Sequence, residues 1–224
     1  MRRNMFLATA GLLREDEEAA CLPKTNSNDW HDLSQELHEA ADQGDADAQF
    51  NLGEMYRGGL GVSQDDRKAA EWHQKAAEQG HAIAQNNLGV MHYRGLGAPQ
   101  DDRKAVGWYQ KAADQGYAIA QFNLGEMYRD GLGVPQDDRK AVEWFQKAAE
   151  QGYAIAQFNL GEMYRDGLGA PQDDCKAVEW FQKAAEQGYA IVQFNLGGMY
   201  GDGRAISTEQ ESVAEHSVKR ARER

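Results

Sequence analysis

The dipeptide Gln-Gly returns at a fixed interval through most of this chain, at Gln79-Gly80, Gln115-Gly116, Gln151-Gly152 and Gln187-Gly188, with a forerunner at Gln43-Gly44. The steps from Gly80 to Gly116, Gly152 and Gly188 are 36 residues each. A period of this length excludes a single central core. Each repeat is one supersecondary unit whose apolar side is covered by its neighbours, so the expected architecture is a solenoid. The question of function then shifts from a catalytic pocket to an extended surface.

Inside a repeat the apolar residues keep helical spacing. Ala156, Leu160, Met163 and Tyr164 form one stripe of a first helix, and Ala177, Trp180, Phe181 and Ala184 one stripe of a second. Between them Gly167-Leu168-Gly169-Ala170-Pro171-Gln172 breaks the helix. Glycine supplies positive φ there and proline cannot continue a helix. Asp173 and Asp174 are placed to cap and open the second helix, and Gly188 to close it. Gly161 and the alanines permit close helix approach, with Trp180 and Phe181 expected to fill the space between repeats. The fold class expected is all-α, a right-handed α-solenoid of antiparallel helix pairs.

The repeats divide the chain as follows. Residues 1–27 form a non-repeat segment, flexible or a short helix, with the acidic run Glu15-Asp16-Glu17-Glu18. Residues 28–44 match the second half of a repeat and read as an N-terminal cap, with Leu33, Leu37, Ala40 and Ala41 on one face. The array spans 45–206: full repeats at 45–80, 81–116, 117–152 and 153–188, then a partial repeat at 189–206. Residues 207–224 read as a capping helix with the basic tail Lys219-Arg220-Ala221-Arg222-Glu223-Arg224. Atypical ends are expected, because a terminal repeat must present a polar face to water.

Composition narrows the partners. The chain is 41% hydrophobic and 27% charged, which suits a domain with a shared core, and its net charge is -12. That sign disfavours nucleic acid, whose binding rests on cations neutralising phosphates, and equally an anionic membrane surface. No apolar run is long enough for a membrane-spanning helix. The N-terminal apolar stretch Met5-Phe6-Leu7 before Ala8-Thr9-Ala10 is too short for a secretory core, so a cytoplasmic protein is expected, with export as the alternative. Cys21 and Cys175 do not recur with the period and give no disulfide framework; Cys175 stands where Arg67, Arg103 and Arg139 stand in other repeats and reads as an exposed thiol.

Chemistry-bearing patterns are sparse. The six histidines form no repeated ligand pair. The Asp-Asp pairs at 65–66, 101–102, 137–138 and 173–174 precede every second helix, as helix caps do. The Gly-x-Gly loops lack the Lys-Ser/Thr of a phosphate loop. No enzyme, metal or cofactor is expected.

The stretch Ala118-Ile119-Ala120-Gln121-Phe122-Asn123-Leu124-Gly125-Glu126-Met127-Tyr128 is followed by Gly131-Leu132-Gly133-Val134. Lys140-Ala141-Val142-Glu143-Trp144-Phe145-Gln146-Lys147-Ala148-Ala149-Glu150-Gln151-Gly152 completes the pattern. Over roughly residues 30–203 the chain resembles the SLR (Sel-one-like) repeat, a relative of the tetratricopeptide repeat. The resemblance implies an adaptor or scaffold that holds partner proteins, as in bacterial members. A cysteine-rich, exported branch is associated with β-lactam binding or hydrolysis. That is the alternative function, and this chain lacks its paired cysteines. Asn86 and His92-Tyr93 depart from the pattern.

By analogy with the tetratricopeptide relatives, a second stripe of the first helix lines a concave groove. It comprises Ile119, Phe122, Asn123, Glu126 and Arg129, then Ile155, Phe158, Asn159, Glu162 and Arg165, then Phe194 and Asn195. Aromatics and arginine anchor interfaces, and asparagine serves a peptide backbone as donor and acceptor. The alternative is that Ile and Phe simply pack against the next repeat's first helix. The expected partner is a protein or peptide, basic or apolar in character, bound by a monomer.

Overall fold

The computed structural model describes residues 27–188 together with Leu196 and Met199. Among the described residues there are nine α-helices and no strand: α1 (Ser27–Asp42), α2 (Ala46–Gly58), α3 (Asp66–Glu78), α4 (Ala82–Arg94), α5 (Asp102–Asp114), α6 (Ala118–Asp130), α7 (Asp138–Glu150), α8 (Ala154–Asp166) and α9 (Asp174–Glu186). The architecture is all-α, of the α-solenoid class. Each repeat contributes a first helix (α2, α4, α6, α8) and a second (α3, α5, α7, α9). The segment 1–26, most of the partial repeat after Gly188 and the helix expected at 207–224 lie outside the described residues, as does the side chain of Leu33.

The described residues fall into two compact units, one running up to 123 with 132–134 and one of 124–131 with the residues from 135 on. In the first, α1 packs on α2, α2 on α3, α3 on α4 and α4 on α5; in the second, α7 packs on α8 and α8 on α9. Ala41 of α1 is buried against Leu52, Tyr56 and Ala69, with Leu37 and Ala40 packed alongside. The half-repeat thus covers the apolar edge of the first full one.

Within a repeat, the two helices meet ring to backbone. A Cβ added at Gly53 would fall 2.8 Å from the His73 ring, at Gly89 2.6 Å from Tyr109, at Gly125 2.7 Å from Phe145 and at Gly161 2.6 Å from Phe181. Phe145 and Phe181 are fully buried there. The four second-helix tryptophans are half-buried. Trp108 packs against Ala76 and Ala77 of the preceding repeat and Ala84 and Leu88 of its own, and a lysine three residues on covers each of the four rings, with Lys147 Nζ 3.7 Å from the Trp144 centroid and Lys183 Nζ 4.0 Å from that of Trp180. An amphipathic indole beside a long basic side chain gains more from this cover than from full burial of its N–H.

Successive repeats are joined by buried glutamines. Gln85 Nε2 of α4 donates to Ala77 O at the end of α3 (3.0 Å), and Gln115 Nε2 donates to Gln85 Oε1 (2.7 Å). Gln157 repeats the bond to Ala149 O (3.0 Å) and receives Gln187 (2.8 Å). The last carbonyls of a helix have no intrahelical donor, and this glutamine supplies one. The Asp pairs behave as caps: Asp101, Asp137 and Asp173 accept from the N–H groups of Lys104, Lys140 and Lys176 at 3.0, 3.1 and 3.0 Å.

The loops set the distance between neighbouring repeats. Gly167 (φ 69°) and Gly169 (φ 70°) are both left-handed. A Cβ on Gly169 would overlap the Asp138 carbonyl in the first turn of α7, while one on Gly167 would lie 3.3 Å from Gln172 Cβ. Gly97 approaches Asp66, and Gly133 approaches Asp102, in the same way.

Two stability measurements test this account. Gly167→Ala should cost about 1–2 kcal/mol for its left-handed backbone, and Gly169→Ala should cost clearly more, because backbone must also move. Equal urea midpoints for the two would show that the loop contact does not set the spacing. Phe145→Ala, which empties a fully buried position, should cost roughly 3–5 kcal/mol; a loss under about 1 kcal/mol would remove the ring from its assigned role.

Candidate functional site

The first-helix face is not uniformly open. On α8, Ile155 is buried, whereas Phe158, Asn159, Glu162 and Arg165 are half-buried. On α6, Ile119 and Arg129 are half-buried, but Phe122, Asn123 and Glu126 retain only 2%, 5% and 5% of their surface. Phe158 rests on Phe181 of its own repeat, with ring centroids 5.7 Å apart. Phe194 and Asn195 lie outside the described residues.

In the second compact unit the polar members form two clusters. Arg129 Nη1 lies 2.6 Å from Glu126 Oε1, Arg129 Nη2 donates to Glu126 Oε2 (2.8 Å), and Arg129 Nε donates to Asp130 Oδ1 (3.0 Å). Arg129 Nη1 also donates to Asn159 Oδ1 on α8 (3.0 Å), which ties two first helices together. Asn159 Nδ2 in turn donates to Ile155 O (2.9 Å). Arg165 repeats the arrangement, donating to Glu162 at 2.6 and 2.7 Å and to Asp166 at 2.8 Å. The i, i+3 spacing of Glu and Arg puts both on one helix face.

The first compact unit fills the same repeat positions differently. Asp47, Phe50, Glu54 and Arg57 of α2 stand where Ile155, Phe158, Glu162 and Arg165 stand on α8. Glu54 is bound by Arg57 and accepts from Asn87 Nδ2 (3.0 Å). The Nε2 of His73, a fully buried residue, lies 3.0 Å from Glu54 Oε1. Asn86, a departure from the repeat, is buried and accepts from Asn123 Nδ2 (2.9 Å). His81 stacks on Phe50 at 4.6 Å, and its Nδ1 accepts from the Ala84 N–H as the cap of α4 (3.1 Å). Burial lowers its pKa, against the pull of Asp47.

These neighbours give equivalent glutamates opposite acidities. Burial raises the Glu54 carboxyl, but hydrogen bonds from His73 and Arg57 outweigh it and bring the pKa from 4.5 down to about 2. At Glu126 burial wins: Arg129 lowers the pKa, Asp130 raises it, and the carboxyl is pushed from 4.5 up to about 7. The difference follows from two positions: His73 and Gly58 in the first repeat are Phe145 and Asp130 in the third. Burial likewise raises Glu162, against Arg165.

Glu54, Arg57, His73, Asp130 and Asp166 were not among the residues singled out from the sequence. Glu54 and Arg57 could have been found by carrying the ladder back to the first repeat. His73 carries a weaker signal, a histidine at an aromatic position. Cys175 is exposed, with a free thiol. Among the described residues, no group of three or more His, Cys, Asp or Glu is placed to hold a metal ion, and no helix is long and apolar enough to cross a membrane.

Paired helices with glycine–ring contacts, repeated at one fixed interval, define a helix-pair repeat protein. The chain belongs to the Sel1 repeat family, whose pattern matches residues 46–81, 82–117, 118–153, 154–189 and 190–212. It is similar to the crystal structure of c5321, a protective antigen present in uropathogenic Escherichia coli strains and displaying an SLR fold. The identity is 43% and the TM-score 0.74, over 76% of this chain and 36% of that one. The chain thus spans about a third of c5321. A Sel1 repeat protein from Oxalobacter formigenes is 35% identical with a TM-score of 0.71, over 83% of this chain and 74% of that one. Among curated proteins none is significantly similar. Sel1 repeat proteins are generally protein-interaction scaffolds.

The two acidities predict opposite pH behaviour. A carboxyl whose folded pKa is depressed stabilises the fold above its unfolded pKa, and one whose folded pKa is raised stabilises it below. Glu54 therefore contributes stability that is lost as the pH falls from 4.5 through about 2. Glu126 contributes stability that is lost as the pH rises from 4.5 through about 7. Urea midpoints measured across pH should show Glu126→Gln flattening the upper window and Glu54→Gln the lower one. Profiles that overlay wild type would sink both assignments.

Proposed function

We propose that this protein is a non-catalytic binding scaffold, holding a protein or peptide against the first-helix face of its repeats. The observation that carries the reading is the face of α8, where Phe158, Asn159, Glu162 and Arg165 follow one another half-buried. Their hydrogen bonds fix them in place, with Arg165 held by Glu162 and Asp166 and Asn159 held by Arg129 and Ile155 O. Side chains locked by their neighbours lose little entropy when a partner arrives, which favours recognition. An aromatic beside an arginine is the usual composition of an interface anchor, and the scaffold role of the family agrees.

The face is narrower than the sequence suggests. In the second compact unit Arg129, Phe158, Asn159, Glu162 and Arg165 have surface to offer, while the buried Glu126 acts through Arg129. An extended or helical segment is the partner form that such a ladder serves.

The reading is tested by affinity capture from native lysate, with wild type and Phe158→Ala/Arg165→Ala compared side by side. Circular dichroism must first show that the variant keeps its helices. Partners lost from the variant and retained by Glu143→Gln, on a second helix, are the expected result. If every captured partner is retained by the double variant, the first-helix face is not the binding surface.

A further inference from the structure

The charges on the first-helix face narrow the chemistry of the partner; this step rests on the docking reading above. In the second compact unit each arginine of the face is held by two carboxylates. Arg129 sits between Glu126 (2.6 Å) and Asp130 (3.0 Å), and Arg165 between Glu162 (2.6 Å) and Asp166 (2.8 Å). Residues 124–130 and α8 carry these four acidic side chains, the two arginines and no lysine. Each cluster therefore has one carboxylate in excess when all groups are ionised; burial raises Glu126 to about 7, so its cluster carries that excess in full only above neutral pH.

The lysines among the described residues of this unit are engaged elsewhere. Lys140 and Lys176 lie over the rings of Tyr128 and Tyr164 at 5.0 and 5.1 Å, and Lys147 and Lys183 over Trp144 and Trp180 at 3.7 and 4.0 Å. All four stand on second helices. Among the described residues, the cations that an anion approaching the first-helix face would meet are guanidiniums already bound to two carboxylates. A cation would meet excess negative charge on either side of an aromatic ring: Phe158 is next to Asn159, which Arg129 binds, and one helical turn before Glu162.

We propose that this face takes a basic amphipathic segment of a partner protein, with an apolar side chain against Phe158 and lysine or arginine side chains against the Glu126–Arg129–Asp130 and Glu162–Arg165–Asp166 clusters. Charge complementarity selects this occupant over an acidic or purely apolar one, and it sets encounter rate and register more than raw affinity.

The experiment uses the full chain and two synthetic helical peptides, one patterned with leucine and lysine and the other with leucine and glutamate. Affinity is read by fluorescence anisotropy at low and moderate salt. The lysine peptide should bind, the glutamate peptide should not, and salt should weaken the complex. Asp130→Asn/Asp166→Asn should weaken the lysine peptide by roughly 3- to 30-fold, as expected of two partly exposed ion pairs. Glu143→Gln/Glu179→Gln, which removes the same charge from second helices, should leave it unchanged.

The outcomes separate the two readings. If Phe158→Ala weakens the lysine peptide but Asp130→Asn/Asp166→Asn does not, the charge assignment is overturned and docking on the face stands. Equal weakening by both pairs of charge variants would mean diffuse attraction to an acidic protein, and that overturns the proposed site. Binding of the glutamate peptide as tightly as the lysine peptide, or of neither, also overturns it.

Discussion

The contact on which this structure depends is a ring lying flat on a glycine. In every full repeat the first helix presents a glycine at its midpoint, and the second helix lays an aromatic or imidazole ring against it: Gly53 and His73, Gly89 and Tyr109, Gly125 and Phe145, Gly161 and Phe181. Two helices can approach this closely only where one lacks a side chain. The ring then fills the space that any larger residue would hold open, at the density of a protein interior. The glutamine bridges follow from it. With the pair drawn together, Gln157 stands within reach of the Ala149 carbonyl at the end of the preceding helix and of Gln187 in its own repeat. A sequence signature that looks like punctuation, the Gln of Gln-Gly at Gln79, Gln115 and Gln187, is thus half of a hydrogen-bonded bridge to a buried glutamine.

The same contact explains how a nearly uniform array acquires different local chemistry. Changing the ring from Phe145 to His73 leaves the packing on glycine intact but places an imidazole nitrogen beside the buried end of Glu54. That glutamate gains a donor which Glu126 lacks, and the two carboxyls are driven to opposite sides of the ordinary value. The partner residues move in step. Where His73 stands, Asn87 also reaches Glu54, and the neighbouring Asn86 replaces the phenylalanine found at Phe122 and Phe158. A lone histidine in this core would leave buried polar atoms without compensation. The Glu54 carboxylate gives its Nε2 a partner, which lowers the cost of burying the ring, while Nδ1 is buried without a hydrogen bond.

Much of the fold is legible in the sequence because periodicity averages the evidence over several copies. The helix pairs, the Asp caps and the loop glycines each recur at one spacing, and the structure places Asp173, Gly169 and Leu160 in those roles. The face is less legible, for a physical reason. Helical spacing shows which residues share a side of a helix, not how many neighbours cover that side. Phe122 and Phe158 hold identical repeat positions, yet one is buried and the other half-buried. Trp180 and Phe181 are adjacent and equally apolar by pattern. Only the indole has an N–H to keep near water, so the phenylalanine takes the glycine and the tryptophan stays outside under Lys183. Departures from the period, such as Asn86 and His73, mark where local chemistry changes but not what it becomes, because their partners lie on other helices, Asn123 for the one and Glu54 for the other.

The ionised clusters on the first helices are hard to explain as devices for stability. Burying a carboxylate as deeply as Glu126 costs free energy that its pairing with Arg129 offsets only in part, as its raised pKa records. A hydrophobic residue would do at least as well there, and Val90 stands at the equivalent place in the second repeat. What the cluster does provide is orientation. Glu126 holds the guanidinium of Arg129 at the angle from which it reaches Asn159, and Asn159 is thereby fixed beside Phe158. The cost is borne inside the helix pair and the fixed geometry appears at its surface. That separation is what a scaffold made of interchangeable repeats requires if one stretch of its surface is to be recognised apart from the rest.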